Sequence, residues 1–192
     1  MGELKLYNVS DRYINYLRNF EPRVYSNKED VRVHYRKYLG IILKLNEINY
    51  YVPLSSAKNA DYLRDCNGNF ILDKNGNRKI KKDIPPIIRI IEKISDNKET
   101  VLGTIRFSNM IPVPDSEIEL YDLNSETDMK YKNLITKDLN YIRKNHNKII
   151  KNANLIYNSK KANVRNSPNY IKNTVEFAEL EKRYLEFIEI NL

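Results

Sequence analysis

The first two thirds of the chain contains short apolar runs separated by polar turns, a pattern that predicts β-strands. The runs at 38–45 and 50–54 are separated by Asn46 and Glu47, so we expect them to form a hairpin. Pro112 and Pro114 keep the residues before them out of the helical region, so 110–114 should be extended. The predicted strands are 4–7, 38–45, 50–54, 87–91, 101–107 and 117–121.

Helical spacing of apolar residues appears once near the start and dominates the last third. Ser10 is a typical N-cap and Asp11 suits a first turn, so 11–19 should be a helix. A long amphipathic helix of about 27 residues is expected from Lys130, with His146 on its apolar stripe as a core histidine. Asn173 and Glu176 have the spacing of a capping box for a final helix. The stripe of the long helix is Leu134, Ile135, Leu139, Ile142, His146, Ile149, Ala153 and Ile156, and that of the final helix is Phe177, Leu180, Tyr184 and Ile188.

Strands that cluster first and long helices that come last predict the α+β class. We expect one compact domain over 1–192, a highly twisted and largely antiparallel sheet with surrounding helices, among them the long basic one. A polar loop at 21–35 and an excursion at 59–83 interrupt the strands. Asn67-Gly68 and Asn75-Gly76 in that excursion are turn signals that predict a small hairpin.

Composition narrows the class of protein further. The chain has 192 residues, of which 41% are hydrophobic and 30% charged, as in ordinary globular proteins. It has no apolar run of roughly 18 residues and no secretory signal pattern, so we expect no membrane partner and a cytoplasmic location. Cys66 is the single cysteine and His34 and His146 are the two histidines, which argues against an intrachain disulfide, a thiolate metal cluster and a His-rich zinc site.

Positive charge is concentrated in one segment. The chain has 33 Lys and Arg against 25 Asp and Glu, a net charge of +8. Residues 130–161 hold nine basic residues and one acid, Asp138, so this segment alone equals the net charge of the chain. It also lacks the acids that would pair within the helix, and Tyr131, Tyr141 and Tyr157 are interleaved. A polyanionic partner, nucleic acid above all, is one interpretation, and a solvated helix face is the other.

Motifs for other chemistries are weak. Neither a P-loop nor a dinucleotide-binding glycine motif occurs. Asp115, Glu117 and Glu119 form an acidic stretch, but Glu117 and Glu119 alternate along a predicted strand, which favours a solvent-facing edge over a metal site. Cys66 lies in a turn sequence, which argues against a nucleophile.

The sequence Pro-Leu-Ser-Ser-Ala-Lys at 53–58 is more informative, because it stands where a strand ends. Ser56 and Lys58 are two positions apart, so together they could hydrogen-bond a phosphate and carry its developing charge. An N-cap followed by an ordinary surface lysine is the alternative that spacing alone leaves open.

Six pieces of the chain, in order, resemble the ToxN/AbiQ family, the endoribonuclease toxins of type III toxin–antitoxin systems. Tyr-Val-Pro-Leu-Ser-Ser-Ala-Lys at 51–58 is similar to the family's Pro-Leu-(Ser/Thr)-Ser-x-Lys element, and Met-Ile-Pro at 110–112 to its Met-Ile-Pro signature. The other similar pieces are the opening strand and helix at 6–17, the strand at 38–43, the basic helix at 131–143 and the closing helix at 177–187.

The resemblance implies a fold and an activity. It implies a compact, highly twisted antiparallel sheet and RNA cleavage without a metal or other cofactor. It also implies a toxin that is inhibited by a small repeat antitoxin RNA, which the toxin itself processes. The expected partners are therefore that RNA and cellular or phage RNA substrates, in a closed protein–RNA assembly that acts in abortive phage infection.

Site residues follow from the motif positions. Ser56 matches the family's essential serine, Ser55 the hydroxyl before it, Lys58 the lysine two beyond, and Tyr13 the first-helix tyrosine. Arg36 matches a basic residue before the second strand, with Lys37 or Arg32 as alternatives across the variable loop. Where relatives can carry an active-site tyrosine in the basic helix, this chain has Thr136, with Tyr131 nearby.

The hypothesis is therefore a metal-independent endoribonuclease that leaves 2′,3′-cyclic phosphate and 5′-hydroxyl ends. Lys58 and Arg36 would stabilise charge on the phosphate, Ser55 and Ser56 would donate hydrogen bonds, and Tyr13 would stack or transfer a proton. A non-catalytic RNA-binding protein and a DNA-binding regulator are the alternatives. The expected RNA contacts are Lys37, Lys130, Lys132, Lys137, Arg143, Lys144 and Lys148.

Overall fold

The computed structural model describes residues 3–27, 33–162, 164–165 and 167–190. Within them, seven strands form one sheet, and helices flank it. The strands are β1 (Lys5–Val9), β2 (Lys37–Leu45), β3 (Ile48–Ser56), β4 (Ile87–Ser95), β5 (Lys98–Arg106), β6 (Ile111–Pro112) and β7 (Ile118–Leu120). The helices are α1 (Asp11–Arg18), α2 (Met129–Lys144), α3 (His146–Lys161), α4 (Asn169–Lys172) and α5 (Phe177–Ile190).

The sheet is antiparallel throughout the described residues, in the order β4-β5-β3-β2-β1-β7, with β6 also paired to β3. The α+β prediction and the six predicted strands are therefore confirmed. Asn46 and Glu47 close the β2–β3 hairpin with positive φ angles of 47° and 64°, as a tight hairpin turn requires.

The pairing register places the end of β3 beside the middle of β5. Ser55 pairs with Thr104 and Ser56 with Gly103, and Gly103 pairs in turn with Ile90. A Cβ atom at Gly103 would lie 2.9 Å from the Ser55 carbonyl oxygen, so a side chain there would push β3 and β5 apart. Glycine at this position therefore holds the Ser55–Ser56 strand end against the sheet.

Large aromatic side chains fill much of the core. Tyr38, Tyr50, Tyr51, Phe107 and Phe177 are all at most 1% exposed. Aliphatic residues of α2 and α3 pack onto the same cluster, and the buried positions are Ile135, Ile142, Ile149, Ala153 and Ile156. The apolar stripe predicted for this segment is therefore confirmed at these five positions.

The single long helix predicted from Lys130 is wrong, because the helix ends at Asn145 and restarts. The Asn145 side chain donates to the Tyr141 carbonyl oxygen at 2.9 Å, and its backbone leaves helical geometry at φ −109° and ψ 16°. An asparagine amide that bonds locally to the main chain competes with helix continuation. His146 consequently begins α3 and is half-buried, so the core-histidine prediction is also wrong.

The predicted capping box at Asn173 and Glu176 is wrong as well. Asn173 ends α4, with its backbone N–H donating to the Asn169 carbonyl oxygen at 3.0 Å. The Glu176 backbone N–H, just before α5, donates to the Glu21 carboxylate at 2.9 Å. A residue from the distant 21–27 loop therefore replaces the local cap.

The 59–83 excursion contains the two predicted turns, at Gly68 with φ 84° and Gly76 with φ 80°. Isolated bridges pair Tyr62 with Ile80, Arg64 with Phe70 and Leu72 with Arg78. None of the helices in the described part of the chain is long and apolar enough to cross a membrane.

Candidate active site

A cavity of about 810 Å³ opens beside the end of β3. Its walls come from the loop before β2, from the end of β3, from the middle of β4 and β5, and from α2. Four of the five residues predicted to be catalytic line it, namely Arg36, Ser55, Ser56 and Lys58. The fold thus brings Ser55, Ser56 and Lys58, which are close together in the sequence, to the same cavity as Arg36, which lies about twenty positions earlier.

Arg36 contacts the motif directly. Its Nη1 donates to Ser55 Oγ at 3.2 Å and to the Leu54 carbonyl oxygen at 2.9 Å. Its Nε donates to the Ser26 carbonyl oxygen at 3.2 Å, and the guanidinium lies 4.9 Å from the Tyr25 ring centre. These contacts fix the guanidinium beside Ser55, which favours Arg36 among the alternatives left open by the sequence. Arg32 lies outside the described residues.

Lys58 is held through its backbone. Its N–H donates to Asp61 Oδ2 at 2.9 Å, and the Asp61 N–H donates back to the Lys58 carbonyl oxygen at 2.9 Å. Asp61 is 1% exposed, and its Oδ1 lies 3.3 Å from Nε of the buried Arg89 and 3.9 Å from Nη2 of Arg106. A buried ion-pair network thus anchors the backbone of Lys58, while the Lys58 side chain itself is exposed at the cavity.

Lys37 also lines the cavity, but its charge is used inside the protein. Its Nζ donates to Asn8 Oδ1 at 2.8 Å and lies 4.1 Å from the Tyr121 ring centre. Burial lowers the pKa of Lys37 to about 8, because the charged form is poorly solvated there. At 6% exposure this lysine does not present its ammonium at the surface, so the structure does not group it with the exposed cations predicted to bind RNA.

Tyr131, rather than Thr136, faces the cavity from α2. Its ring stacks on His34 with centres 3.7 Å apart and planes 3° apart, and His34 Nε2 lies 3.3 Å from Asp128 Oδ2. Burial raises the pKa of Tyr131. Thr136 is exposed and donates its hydroxyl proton to the Lys132 carbonyl oxygen at 2.8 Å. On α2, Tyr131 therefore lines the cavity, and Thr136 is not among the lining residues.

Tyr13, predicted to belong to the site, does not line the cavity. Its side chain is fully buried, its hydroxyl donates to the Pro112 carbonyl oxygen at 2.9 Å, and its ring packs edge-on against Phe187 at 4.9 Å. Burial raises its pKa well above the ordinary value. Tyr13 shares the inward face of α1 with Ile14 and Leu17, so helical periodicity places it in the core and not at the cavity.

Glu117, in the acidic stretch after Pro114, was predicted to face solvent, but it is buried. This carboxylate is 4% exposed and accepts hydrogen bonds from Ser10 Oγ and Arg12 Nη2. It therefore ties the start of α1 to β7, whereas Glu119 is exposed as predicted. Among the described residues, no three His, Cys, Asp or Glu side chains are grouped so that they could hold a metal ion. Cys66 is exposed in its turn.

The basic segment finds acidic partners that its own sequence lacks. Lys137 pairs with Glu92 at 2.7 Å, Arg143 with Glu3 at 2.7 Å and Lys148 with Asp83 at 2.5 Å. These acids come from β4, the N-terminal segment and the end of the 59–83 excursion, so three cations without acids in their own helix are paired by other parts of the fold. The exposed Lys130 and Lys144 form no such pair within the described residues, and Lys132 Nζ donates to the Asn124 carbonyl oxygen at 3.3 Å.

Sequence reasoning missed several residues of the cavity wall. Tyr25 and His34 lie in the polar loop, where no periodicity marks them. Asp138 lines the cavity from α2 and is buried. Its signal in the sequence is that it is the one acid of the 130–161 segment, but its burial depends on which face of α2 packs against the sheet.

Comparison with known proteins agrees with the geometry. The family model described as "Toxin ToxN, type III toxin-antitoxin system" matches residues 5–185. Endoribonuclease AbiQ of Lactococcus lactis subsp. lactis is 32% identical over 180 residues, which cover 94% of this chain and 87% of that protein. Endoribonuclease ToxN of Bacillus thuringiensis subsp. kurstaki is 28% identical over 192 residues, which cover 96% of this chain and 84% of that protein.

Solved structures show the same relationship. A structure from work on selective toxin inhibition by a non-coding RNA pseudoknot has a TM-score of 0.74 at 26% identity and covers 98% of this chain and 99% of its own. That of AbiQ, a lactococcal anti-phage endoribonuclease, has a TM-score of 0.72 at 26% identity, with the same coverage. The chain therefore belongs to the ToxN toxin family of type III toxin–antitoxin systems.

Proposed function

We propose that this protein is an endoribonuclease toxin that cuts single RNA strands at the cavity beside β3. The observation that supports it most directly is the grouping of Arg36, Ser55, Ser56 and Lys58 on one side of that cavity. Two cations and two hydroxyls within one wall suit a phosphodiester, which needs charge stabilisation and hydrogen-bond donors as its phosphorus becomes five-coordinate.

Each of these side chains has a definite role in the proposal. Arg36 donates to Ser55 Oγ, and a hydroxyl that accepts from a guanidinium is free to turn its own proton toward a bound phosphate. Ser56 is exposed at the strand end and donates to a second phosphate oxygen. Lys58 holds its ammonium at the cavity and neutralises the developing charge.

The attacking group in this proposal is the 2′-hydroxyl of the RNA itself. Its oxygen bonds to the adjacent phosphorus, the bond from phosphorus to the 5′-oxygen breaks, and the products carry a 2′,3′-cyclic phosphate and a 5′-hydroxyl. The protein then has to orient the strand in line and stabilise charge, and it supplies neither a metal nor a covalent nucleophile. Each of the four grouped side chains suits one of these tasks.

The proposed partners are RNA molecules. The relatives named above are endoribonucleases, and one solved neighbour concerns toxin inhibition by an RNA pseudoknot. By analogy, a structured repeat antitoxin RNA inhibits this protein and is also cut by it, in a closed assembly that limits phage infection. We place this activity in the cytoplasm, where both the antitoxin RNA and messenger RNA substrates occur. The exposed Lys130 and Lys144 are the first candidates for phosphate contacts.

The test is cleavage of bacterial total RNA by purified protein, followed by mapping of the cut ends. Ser56→Ala should slow cleavage by about 100-fold or more, the effect of one lost transition-state donor, while RNA affinity stays within about threefold. Ser116→Ala, exposed and outside the cavity, is the matched control and should cut at the wild-type rate.

The chemistry is tested on a synthetic RNA that carries one mapped cut site. Cleavage should survive excess chelator, and a 2′-deoxy sugar at the cut should bind without being cut. Cut ends with a 5′-phosphate, or activity lost in chelator and restored by magnesium, would overturn the 2′-hydroxyl mechanism. Tight RNA binding without any cleavage would instead favour a non-catalytic RNA-binding protein.

A further inference from the structure

The cavity contains a buried carboxyl group that nothing in the proposed function has used. Asp138 lies on the inward stripe of α2, between Ile135 and Ile142, and is 6% exposed. Its Oδ1 has no hydrogen-bond partner, and its carboxyl forms no ion pair with any residue that the structure describes. The side chain nevertheless lines the cavity, so it faces the space where the phosphodiester would bind.

An unpaired carboxylate in such a place is unfavourable, because burial removes its hydration and nothing replaces it. The group responds by holding its proton: burial raises the pKa of Asp138 to about 7. A carboxyl of this kind is a proton donor poised near neutral pH, the range in which general acids work best.

Burial raises the pKa of Asp138 although charged and titratable groups lie around the cavity. The lining residues from β4 and β5 are Ile90, Leu102 and Gly103, none of which titrates. On α2 itself, the pKa of Tyr131 is raised first by burial, then by the charges of Glu126 and Asp138 at the high pH where a tyrosine titrates. The other cavity-lining groups that titrate or carry charge are Arg18, Arg23, Tyr25, His34, Tyr35, Arg36, Lys37 and Lys58. Close by on the elements that pack against α2, Glu92 of β4 is paired with Lys137, and Arg89 of β4 is paired with Asp61.

Asp138 and the serine motif approach the cavity from different sides. Helix α2 packs over β4 and β5, whereas Ser55 and Ser56 end β3 on the other side of β5. Both line the same cavity, so a phosphodiester bound at the β3 end would lie between the motif and α2. The motif would then hold the non-bridging oxygens, while the helix faces a bridging oxygen.

From this arrangement we propose that Asp138 is the general acid of the cleavage reaction, which protonates the departing 5′-oxygen. The proposal rests on the proposed endoribonuclease function. The 2′-oxygen bonds to phosphorus and loses its proton to water, while the bond from phosphorus to the 5′-oxygen breaks. The 5′-oxygen takes the Asp138 proton, and the carboxylate regains one from water before the next cycle.

The charge of the substrate decides between an acid and a base. A phosphodiester is anionic and gains charge in the transition state, and a nearby negative charge favours the neutral form of a carboxyl. RNA binding should therefore raise the pKa of Asp138 further. Cleavage by wild-type protein should fall as pH rises through the raised pKa of Asp138.

The test compares two synthetic RNAs that carry the mapped cut site and differ in one atom, with oxygen or sulfur as the 5′-bridging atom. A thiolate leaves without protonation, so the sulfur substrate does not need an acid. Asp138→Asn keeps the shape of the side chain but has no acidic proton. On the oxygen substrate its single-turnover rate should fall by about 100-fold or more, the usual contribution of a positioned acid, and the decline at high pH should disappear. On the sulfur substrate its rate should stay within about fivefold of wild type.

Controls separate the possible failures. Asp96→Asn changes an exposed carboxyl that pairs with Lys93 outside the cavity and should match wild type on both substrates. Unfolding midpoints and RNA affinity of Asp138→Asn report whether the variant is folded and binds. An equal loss on both RNAs, or an unchanged rate on the oxygen RNA, would overturn the general-acid assignment. Wild-type protein inert on both RNAs would instead overturn the proposed function.

Discussion

Asp138→Asn should change how the stability of the protein depends on pH, independently of any activity. The folded-state pKa of Asp138 is about 7, against an ordinary value of 3.8. A carboxyl with a raised folded-state pKa binds more protons in the folded than in the unfolded chain. Its contribution is therefore complete below the unfolded-state pKa and is lost as pH rises through the folded-state pKa.

The size of the effect follows from the two pKa values. Proton linkage between them makes folding less favourable by about 2.5 kcal/mol from pH 5 to pH 8, at about 1.4 kcal/mol per pKa unit. Asparagine does not titrate, so the variant lacks this loss. Relative to wild type, its free energy of unfolding should rise by about 2.5 kcal/mol over the same interval.

Urea unfolding at several pH values measures this difference, with tyrosine fluorescence as the signal, since the chain has 15 Tyr and no Trp. Asp96→Asn is the matched control, because the Asp96 side chain is 95% exposed and should leave the pH dependence unchanged. Parallel pH curves for wild type and Asp138→Asn would show that the carboxyl is ionised throughout. That result would refute the reasoning from burial to a neutral acid.

Three further predictions concern the surroundings of the site. Asp61→Asn should destabilise the protein by about 3 kcal/mol in urea unfolding, because it breaks a buried ion pair. It should also slow single-turnover cleavage more than it weakens RNA binding, since Asp61 positions Lys58, and equal losses in both would argue against that role. Tyr13→Phe should lose about 1 kcal/mol of stability, for one hydrogen bond, yet cleave within twofold of wild type. A large rate loss at unchanged stability would return Tyr13 to the site. Lys144→Ala should reduce the salt dependence of RNA binding by roughly one phosphate contact, whereas Lys137→Ala should reduce it less because Lys137 is paired with an acid. Filter binding over a range of salt concentrations measures both slopes, and equal slopes would contradict the distinction.

The sequence predicted most of the sheet, because strands and hairpins have local signals. The apolar runs, the Asn46–Glu47 turn and the two Asn-Gly turns each depend on a few neighbouring residues. Helix ends were harder to predict where side-chain hydrogen bonds decide them. The start of α5 depends on a Glu21 carboxylate that is far away in the chain, and the break at Asn145 depends on a side-chain bond that competes with the next turn.

The sequence predicted those residues of the candidate site that lie close together in the chain. Ser55, Ser56 and Lys58 stand together in the chain, and the family resemblance identified them before the structure did. Arg36 follows the variable 21–35 loop, so the sequence left its identity open, and only its contact with Ser55 in the folded chain favours it. Tyr13 was placed in the site by motif position, although its own helical periodicity indicated the core.

The basic segment and the neutral acid inside it are connected. If the cations of 130–161 had no partners, they would favour the ionised form of Asp138 and lower its pKa. Instead Glu92, Glu3 and Asp83 form ion pairs with three of these cations. Burial then decides the state of Asp138, and its carboxyl keeps a proton beside the cations that line the cavity. Acids drawn from elsewhere in the fold therefore reduce the charge that α2 and α3 offer to RNA, while burial raises the pKa of Asp138.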